Sequence, residues 1–156
     1  MRARRVKRNG FSFPVEYGTL RGMEQKRTFD ESTLVPGILG EQTEPVTHAL
    51  TAEALGSGGL AVFATPAMIA LMELTALKSV APYLPEGCST VGTRIDVRHL
   101  AATPEGRTVR CETELTRVDG RKLTFFCRAF DGETLIGEGE QGRYVVDNAR
   151  FLSKLS

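Results

Sequence analysis

Between Leu60 and Leu84 the chain reads LAVFATPAMIALMELTALKSVAPYL, a nearly continuous apolar run whose only charges are Glu73 and Lys78. Such a run either crosses a membrane or lies in a protein core. Pro66, Glu73, Lys78 and Pro82 divide it, so no uninterrupted stretch approaches the roughly 20 residues that a membrane-spanning helix needs. The run therefore predicts a buried helix, with Thr65 suited to the N-cap, Pro66 to the first helical position and Pro82 to the stop. Ala67, Ala70, Leu71, Leu74, Leu77 and Ala81 keep helical spacing along it and are the expected core stripe.

After the helix the hydrophobic pattern switches to period two, punctuated by turn signals at Pro104-Glu105-Gly106, Asp119-Gly120 and Asp131-Gly132. This predicts four antiparallel strands in a meander. Alternation assigns the inward faces: Val91, Thr93, Ile95, Val97 and His99; then Val109, Cys111, Thr113 and Leu115; then Leu123, Phe125, Cys127 and Ala129; then Leu135, Gly137, Gly139, Gln141, Arg143 and Val145. Charged residues such as Arg94, Asp96, Arg110, Glu112 and Glu140 fall on the other, solvated face. The polar, alternating segment Gly40 to Ala49 reads as an edge strand, and Thr51 to Leu55 as one helical turn.

The predicted class is α+β, one long central helix wrapped by a five-stranded antiparallel sheet. A helix apolar nearly all round needs cover on more than one side, and one sheet covers a single side. A homodimer or higher homo-oligomer is the expected solution.

With 156 residues and 41% hydrophobic content, one globular domain is expected. The formal charge of +1 conceals an asymmetry: residues 1–22 hold Arg2, Arg4, Arg5, Lys7, Arg8 and Arg21 against Glu16 alone, leaving the body from Met23 onward at about −4. No basic stripe runs through that body, which argues against nucleic acid as a partner. The Arg4-Arg5 pair is not followed by the apolar stretch that an export signal requires, so residues 1–22 read as a disordered basic leader and residues 23–156 as the folded domain. Cys88, Cys111 and Cys127 are odd in number and widely spaced, with no CxxC and two histidines in the chain. Neither a disulfide framework nor a metal site is expected, and the compartment reads as cytoplasmic and reducing, with no membrane partner.

Four residues carry chemistry on this reading. Glu73 has Ile69, Ala70, Ala76 and Leu77 as its helical neighbours, so no base on its own helix pairs with it. A carboxylate in apolar surroundings is costly unless a cation across the fold offsets it, which makes Glu73 a candidate base or nucleophile; an exposed or structurally paired glutamate is the plain alternative. His99 closes a strand on the apolar parity, where it could carry a proton or be a structural histidine; His48, in the polar edge segment, reads as structural. Thr65 is explained by capping, although a hydroxyl at a positive helix end can also orient water or act near an oxyanion. Arg143 falls inward among Gly137, Gly139 and Gln141, where small residues leave room for a ligand, or where it pairs with a buried acid. No P-loop, dinucleotide fingerprint or Gly-x-Ser-x-Gly elbow is present.

VFATPAMIALMEL (Val62 to Leu74), VGTRIDVRHLAATPEG (Val91 to Gly106) and GEGEQGRYVV (Gly137 to Val146) together resemble the fluoroacetyl-CoA thioesterase group of hot-dog proteins, over about Val46 to Leu155. The resemblance implies a hot-dog fold and a thioesterase that hydrolyses an acyl-CoA to free acid and CoA without a metal or organic cofactor. It implies Thr65, Glu73 and His99 as the catalytic set and Gly92 and Arg143 as substrate positions. The fluoroacetyl-specific enzyme has a lid segment containing phenylalanines; here GSGGLAVF keeps Phe63 near the threonine, which points to a short or medium acyl-CoA substrate rather than fluoroacetyl-CoA. A non-catalytic acyl-CoA binding or sensing module of the same fold is the alternative. An enoyl-CoA hydratase of this fold would need a helical Asp and His pair that the sequence lacks.

Overall fold

The apolar run folds as one helix laid across an antiparallel sheet. The computed structural model describes residues 29–156, so the leader expected over residues 1–22 lies outside the described residues. The elements are β1 (Leu39–Pro45), α1 (Ala52–Leu55), α2 (Thr65–Val80), β2 (Cys88–His99), β3 (Thr108–Asp119), β4 (Lys122–Asp131), β5 (Thr134–Asp147) and α3 (Asn148–Leu152). The strands form one five-stranded antiparallel sheet in the order β1-β3-β4-β5-β2. Among the described residues no helix is long and apolar enough to cross a membrane.

The meander expected over all four later strands is realised only in β3, β4 and β5. Gly120 and Gly132 turn its two hairpins with positive φ. β2 does not join β3 but crosses to the far edge and pairs with β5. The connection after β2 is tied to the opposite side of the fold: Phe63 N donates to Thr103 O, Val46 N to Arg107 O and Gly106 N to Val46 O. These bonds deliver the chain to the β1 side, so the Pro104-Glu105-Gly106 turn is a crossover rather than a hairpin. The edge segment ends as a strand at Pro45, and a 3-10 turn follows at His48–Leu50.

The parity reading holds without exception in β3 and β4, whose Val109, Cys111, Leu115, Leu123, Phe125, Cys127 and Ala129 are fully or almost fully buried. It fails where bulges insert a residue. The ladder shifts between Gly92 and Arg94, so Thr90 and Gly92, not Val91 and Thr93, face inward at the start of β2. A second shift, between Ala129 and Phe130, sends Ile136 into the core in place of Leu135. Period-two alternation carries no information about such an extra residue.

The helix also sits rotated from its expected stripe. The buried residues are Ala67, Met68, Leu71, Met72, Thr75, Ala76 and Val80. Ala70, Leu74 and Ala81 are exposed and Leu77 is half-buried. In a helix apolar all round, spacing cannot choose the inward face; contacts with the sheet do. Met68 packs where Gly137 lacks a side chain, since a β-carbon there would collide with the Met68 thioether. Gln141 donates to Met72 O at 2.8 Å. The room expected beside Gly137 is thus filled by the helix itself. Cys111 and Cys127 are free thiols in this layer, their pKa values pushed by burial up to about 11 and about 12, so they remain protonated and inert.

Phe125 is fully buried in the same cluster. Phe125→Ala is expected to cost about 3–5 kcal/mol by removing a large ring from a layer that cannot collapse; urea unfolding at fixed protein concentration measures the loss through the shift in midpoint.

Candidate active site

The first turn of α2 does not use Thr65 as its cap. Ala64 takes the N-cap backbone conformation, no side chain caps the helix there, and Thr65 is the first helical residue with Pro66 behind it. Pro66 has no N–H to satisfy, so the start costs little without a capping hydroxyl. The Thr65 hydroxyl is left for another partner and meets His99 Nδ1 at 2.8 Å. His99 stands at the end of β2, opposite Gly137. Burial pushes its pKa below the usual histidine value, with a smaller opposing pull from the Ala101 backbone, so the imidazole is neutral at pH 7 and able to accept a proton. His99 Nε2 is buried and unpartnered among the described residues.

An open pocket of about 360 Å³ lies over this pair, lined by Ala52, Ser57, Phe63, Thr65, His99 and Leu100, among others. Phe63 is 1% exposed and bridges to Thr51 as a short β pair. It therefore lines the pocket as a fixed wall and not as part of a loose cover. His48 lies outside the pocket, exposed, at 3.8 Å from Glu53 and 3.5 Å from Glu105.

Glu73 belongs to a different cluster. Its Oε1 receives a hydrogen bond from Arg143 Nη1 at 3.2 Å, and its side chain is 38% exposed. Arg143 is only 6% exposed, and its guanidinium is satisfied on three sides: Nε donates to Thr90 Oγ1 at 2.8 Å, Nη2 to Thr90 O at 3.0 Å and Nη1 to Glu73. Desolvation lowers the Arg143 pKa and the Glu73 charge opposes that, so the pair preserves the buried cation. Gly92 lies opposite Arg143 in the β2–β5 ladder, and a β-carbon at Gly92 would collide with Glu73 Oε1. Only glycine lets the carboxylate lie against the strand.

The proposed site residues thus form two groups. Thr65, His99 and Phe63 meet at the start of α2; Glu73, Gly92 and Arg143 meet further along it. Eight residues of helix separate Thr65 from Glu73, about 12 Å at the α-helical rise, and seven residues of β2 separate Gly92 from His99, on the order of 20 Å. Within one chain Glu73 bonds Arg143 and not the Thr65–His99 pair.

Thr90 was not legible as a partner of this cluster. The inward set read from alternation begins at Val91, and the bulge at Gly92 turns Thr90 in. Among the described residues no group of three His, Cys, Asp or Glu could hold a metal ion. Thr90→Val keeps the side-chain shape but leaves Arg143 Nε without its acceptor; a loss of about 1–3 kcal/mol is expected in denaturant unfolding, with Thr90→Ser restoring most of it.

The family model described as "FlK: Fluoroacetyl-CoA-specific thioesterase" matches residues 46–149. A fluoroacetyl-CoA thioesterase of Streptantibioticus cattleyicolor is 44% identical over 94 residues, covering 60% of this chain and 68% of that protein. A crystal structure of a variant of the thioesterase FlK in complex with acetyl-CoA superposes with a TM-score of 0.74 at 34% identity, covering 78% of this chain and 96% of that one. A Thermus thermophilus thioesterase superfamily member, TTHA0967, gives a TM-score of 0.71 at 27% identity, over 78% of this chain and 90% of its own. The helix crossed by a five-stranded sheet is the hot-dog fold of these structures, and the chain belongs to the fluoroacetyl-CoA-specific thioesterase family, as a hydrolase of acyl-CoA thioesters.

Proposed function

We propose that the chain hydrolyses a short or medium acyl-CoA as a homodimer, in a site that joins Thr65 and His99 of one subunit to Glu73, Gly92 and Arg143 of the other. The observation that carries this reading is the half-exposed Glu73 carboxylate, held by a buried arginine against β2 at the edge of the sheet. Around it Leu74 is 38% and Ile95 39% exposed, and β2 is an edge strand with one unpaired side. An apolar helix face beside a long open strand edge is a surface that a second copy would bury. Pairing across that edge would also offer each Glu73 a Thr65–His99 partner that its own chain does not supply.

In such a site Glu73 takes a proton from water as the oxygen adds to the thioester carbonyl. Thr65 and the free N–H groups at the start of α2 face the developing oxyanion, where the helix end is positive. Neutral His99, carrying its proton on Nδ1, donates to the Thr65 hydroxyl oxygen and so leaves the hydroxyl proton free to point at the oxyanion. The C–S bond then breaks, the thiolate leaving as free CoA with the proton that Glu73 accepted, and the acid remains. Arg143 holds Glu73 in place, and Gly92 keeps the strand clear of the carboxylate.

The catalytic layer accepts acyl groups beyond fluoroacetyl on this reading, because the segment before Thr65 carries Gly56, Gly58, Gly59 and an exposed Leu60, and its single phenylalanine is locked in the core. Three free thiols support a reducing, cytoplasmic location.

Glu73→Gln is expected to remove most release of free thiol from a panel of acyl-CoA esters while leaving the circular dichroism spectrum unchanged; undiminished turnover would refute the role given to Glu73. Mixing unfolded Glu73→Gln and His99→Ala chains and refolding them together is expected to recover about a quarter of wild-type activity, since random pairing makes about half the dimers mixed and each mixed dimer holds one intact site. A mixture as inactive as its two components would place all three groups within one subunit.

A further inference from the structure

Two hydrogen bonds join α2 to β5 among the described residues, and they come from alternate residues of the strand. Arg143 donates to the Glu73 carboxylate at 3.2 Å. Gln141, two residues earlier on the same inward face, donates from Nε2 to Met72 O at 2.8 Å. Met72 directly precedes Glu73, so β5 holds the helix at consecutive residues, once by the backbone and once by the carboxylate. Gln141 is fully buried. Its Nε2 also meets Cys127 Sγ at 3.1 Å, and no protein group among the described residues bonds its Oε1.

Stability alone does not account for an amide in that layer. Met72 lies in the interior of α2, where its carbonyl accepts the helix's own bond, so it does not depend on Gln141 for a partner. Burying an amide is unfavourable unless both of its ends are bonded, and here only the nitrogen meets a protein partner. A methionine would fill about the same space and strand no polar group. What the apolar contacts of α2 lack is direction. The helix is apolar on nearly every side, and packing such as that of Met68 against Gly137 permits a small slide or roll of one element on another. Glu73 has no such latitude, because its Oε1 lies so near Gly92 that a β-carbon there would collide with it, and the Arg143 that holds it is itself fixed by two bonds to Thr90.

We propose that Gln141 is a positioning residue for the hydrolysis: its bond to Met72 O sets the slide and roll of α2 against β5, so that the Glu73 carboxylate meets Arg143 in the orientation the reaction uses. The proposal rests on the role given to Glu73 above and adds what aims that side chain. Gln141 touches no reacting atom. It acts through one main-chain contact, and the helix passes the constraint to the next residue because its hydrogen-bonded backbone moves as a unit. A catalytic group has to be held within about 0.5 Å of its working geometry, so a helix freed to shift by that much loses turnover while it keeps its fold.

The test compares the full chain with its Gln141→Met variant. The variant is expected to unfold in urea at the wild-type midpoint or above it, because the substitution leaves no buried group without its partner. Its kcat for an acyl-CoA is expected to fall about tenfold with KM changed less than about twofold, since the step that needs an aimed carboxylate is weakened and substrate binding is not. The carboxyl 13C resonance of Glu73 is expected to move between the two proteins, a readout that needs no turnover. A lowered urea midpoint, or failure to fold, would make Gln141 an ordinary structural residue and overturn the proposal. So would an unchanged kcat, a loss carried by KM, or an unmoved Glu73 resonance. A wild type that released no thiol would refute the catalytic reading above, while the Glu73 resonance and the urea midpoint would still decide whether Gln141 positions the carboxylate.

Discussion

A guanidinium that is only 6% exposed cannot stand without partners, and the partners of Arg143 shape one whole side of the molecule. Two of its three hydrogen bonds go to Thr90 on the neighbouring strand and one to Glu73 on the helix. For Thr90 to face it, β2 must take an extra residue at the Gly92 bulge; for Glu73 to reach it, Gly92 must lack a side chain. The cost of an uncompensated buried charge is large enough to hold strand, bulge and helix in one arrangement. The Glu73 carboxylate is thereby held in place against β2, with part of its surface still open.

The opposite end of α2 is organised by a smaller economy. Pro66 relieves the helix of one unsatisfied donor, and a backbone turn at Ala64 starts it without a capping side chain. Thr65 is therefore free to hydrogen-bond His99, which burial keeps neutral. Helix length then sets the distance between the two groups. Within one chain Thr65 bonds His99 and Glu73 bonds Arg143, and no hydrogen bond among the described residues links the two pairs.

Much of this was legible beforehand. The residue types of Thr65, Glu73, His99, Gly92 and Arg143 stood out through their position in an apolar run, their strand parity or their resemblance to a family, and each lies in one of the two clusters. What remained hidden was hidden for definite reasons. Thr90 stood outside the inward set that begins at Val91, because alternation cannot register a bulge. The buried stripe of α2 was misplaced because a helix that is apolar all round presents several equivalent stripes. The meander was drawn with β2 beside β3 because sequential strands usually neighbour one another, whereas here the loop after β2 is bonded to Val46 and Phe63 on the other side of the fold.

The sequence by itself determined the elements and their chemistry: one long buried helix, period-two strands, a carboxylate where apolar residues surround it, and a histidine at a strand end. These follow from local propensity and periodicity, which act over a few residues. Only the tertiary structure decided which strand lies beside which, which face of α2 is buried, and that Glu73 pairs with Arg143 while Thr65 pairs with His99. Those choices depend on contacts between residues as much as seventy positions apart, whose energies no local pattern encodes.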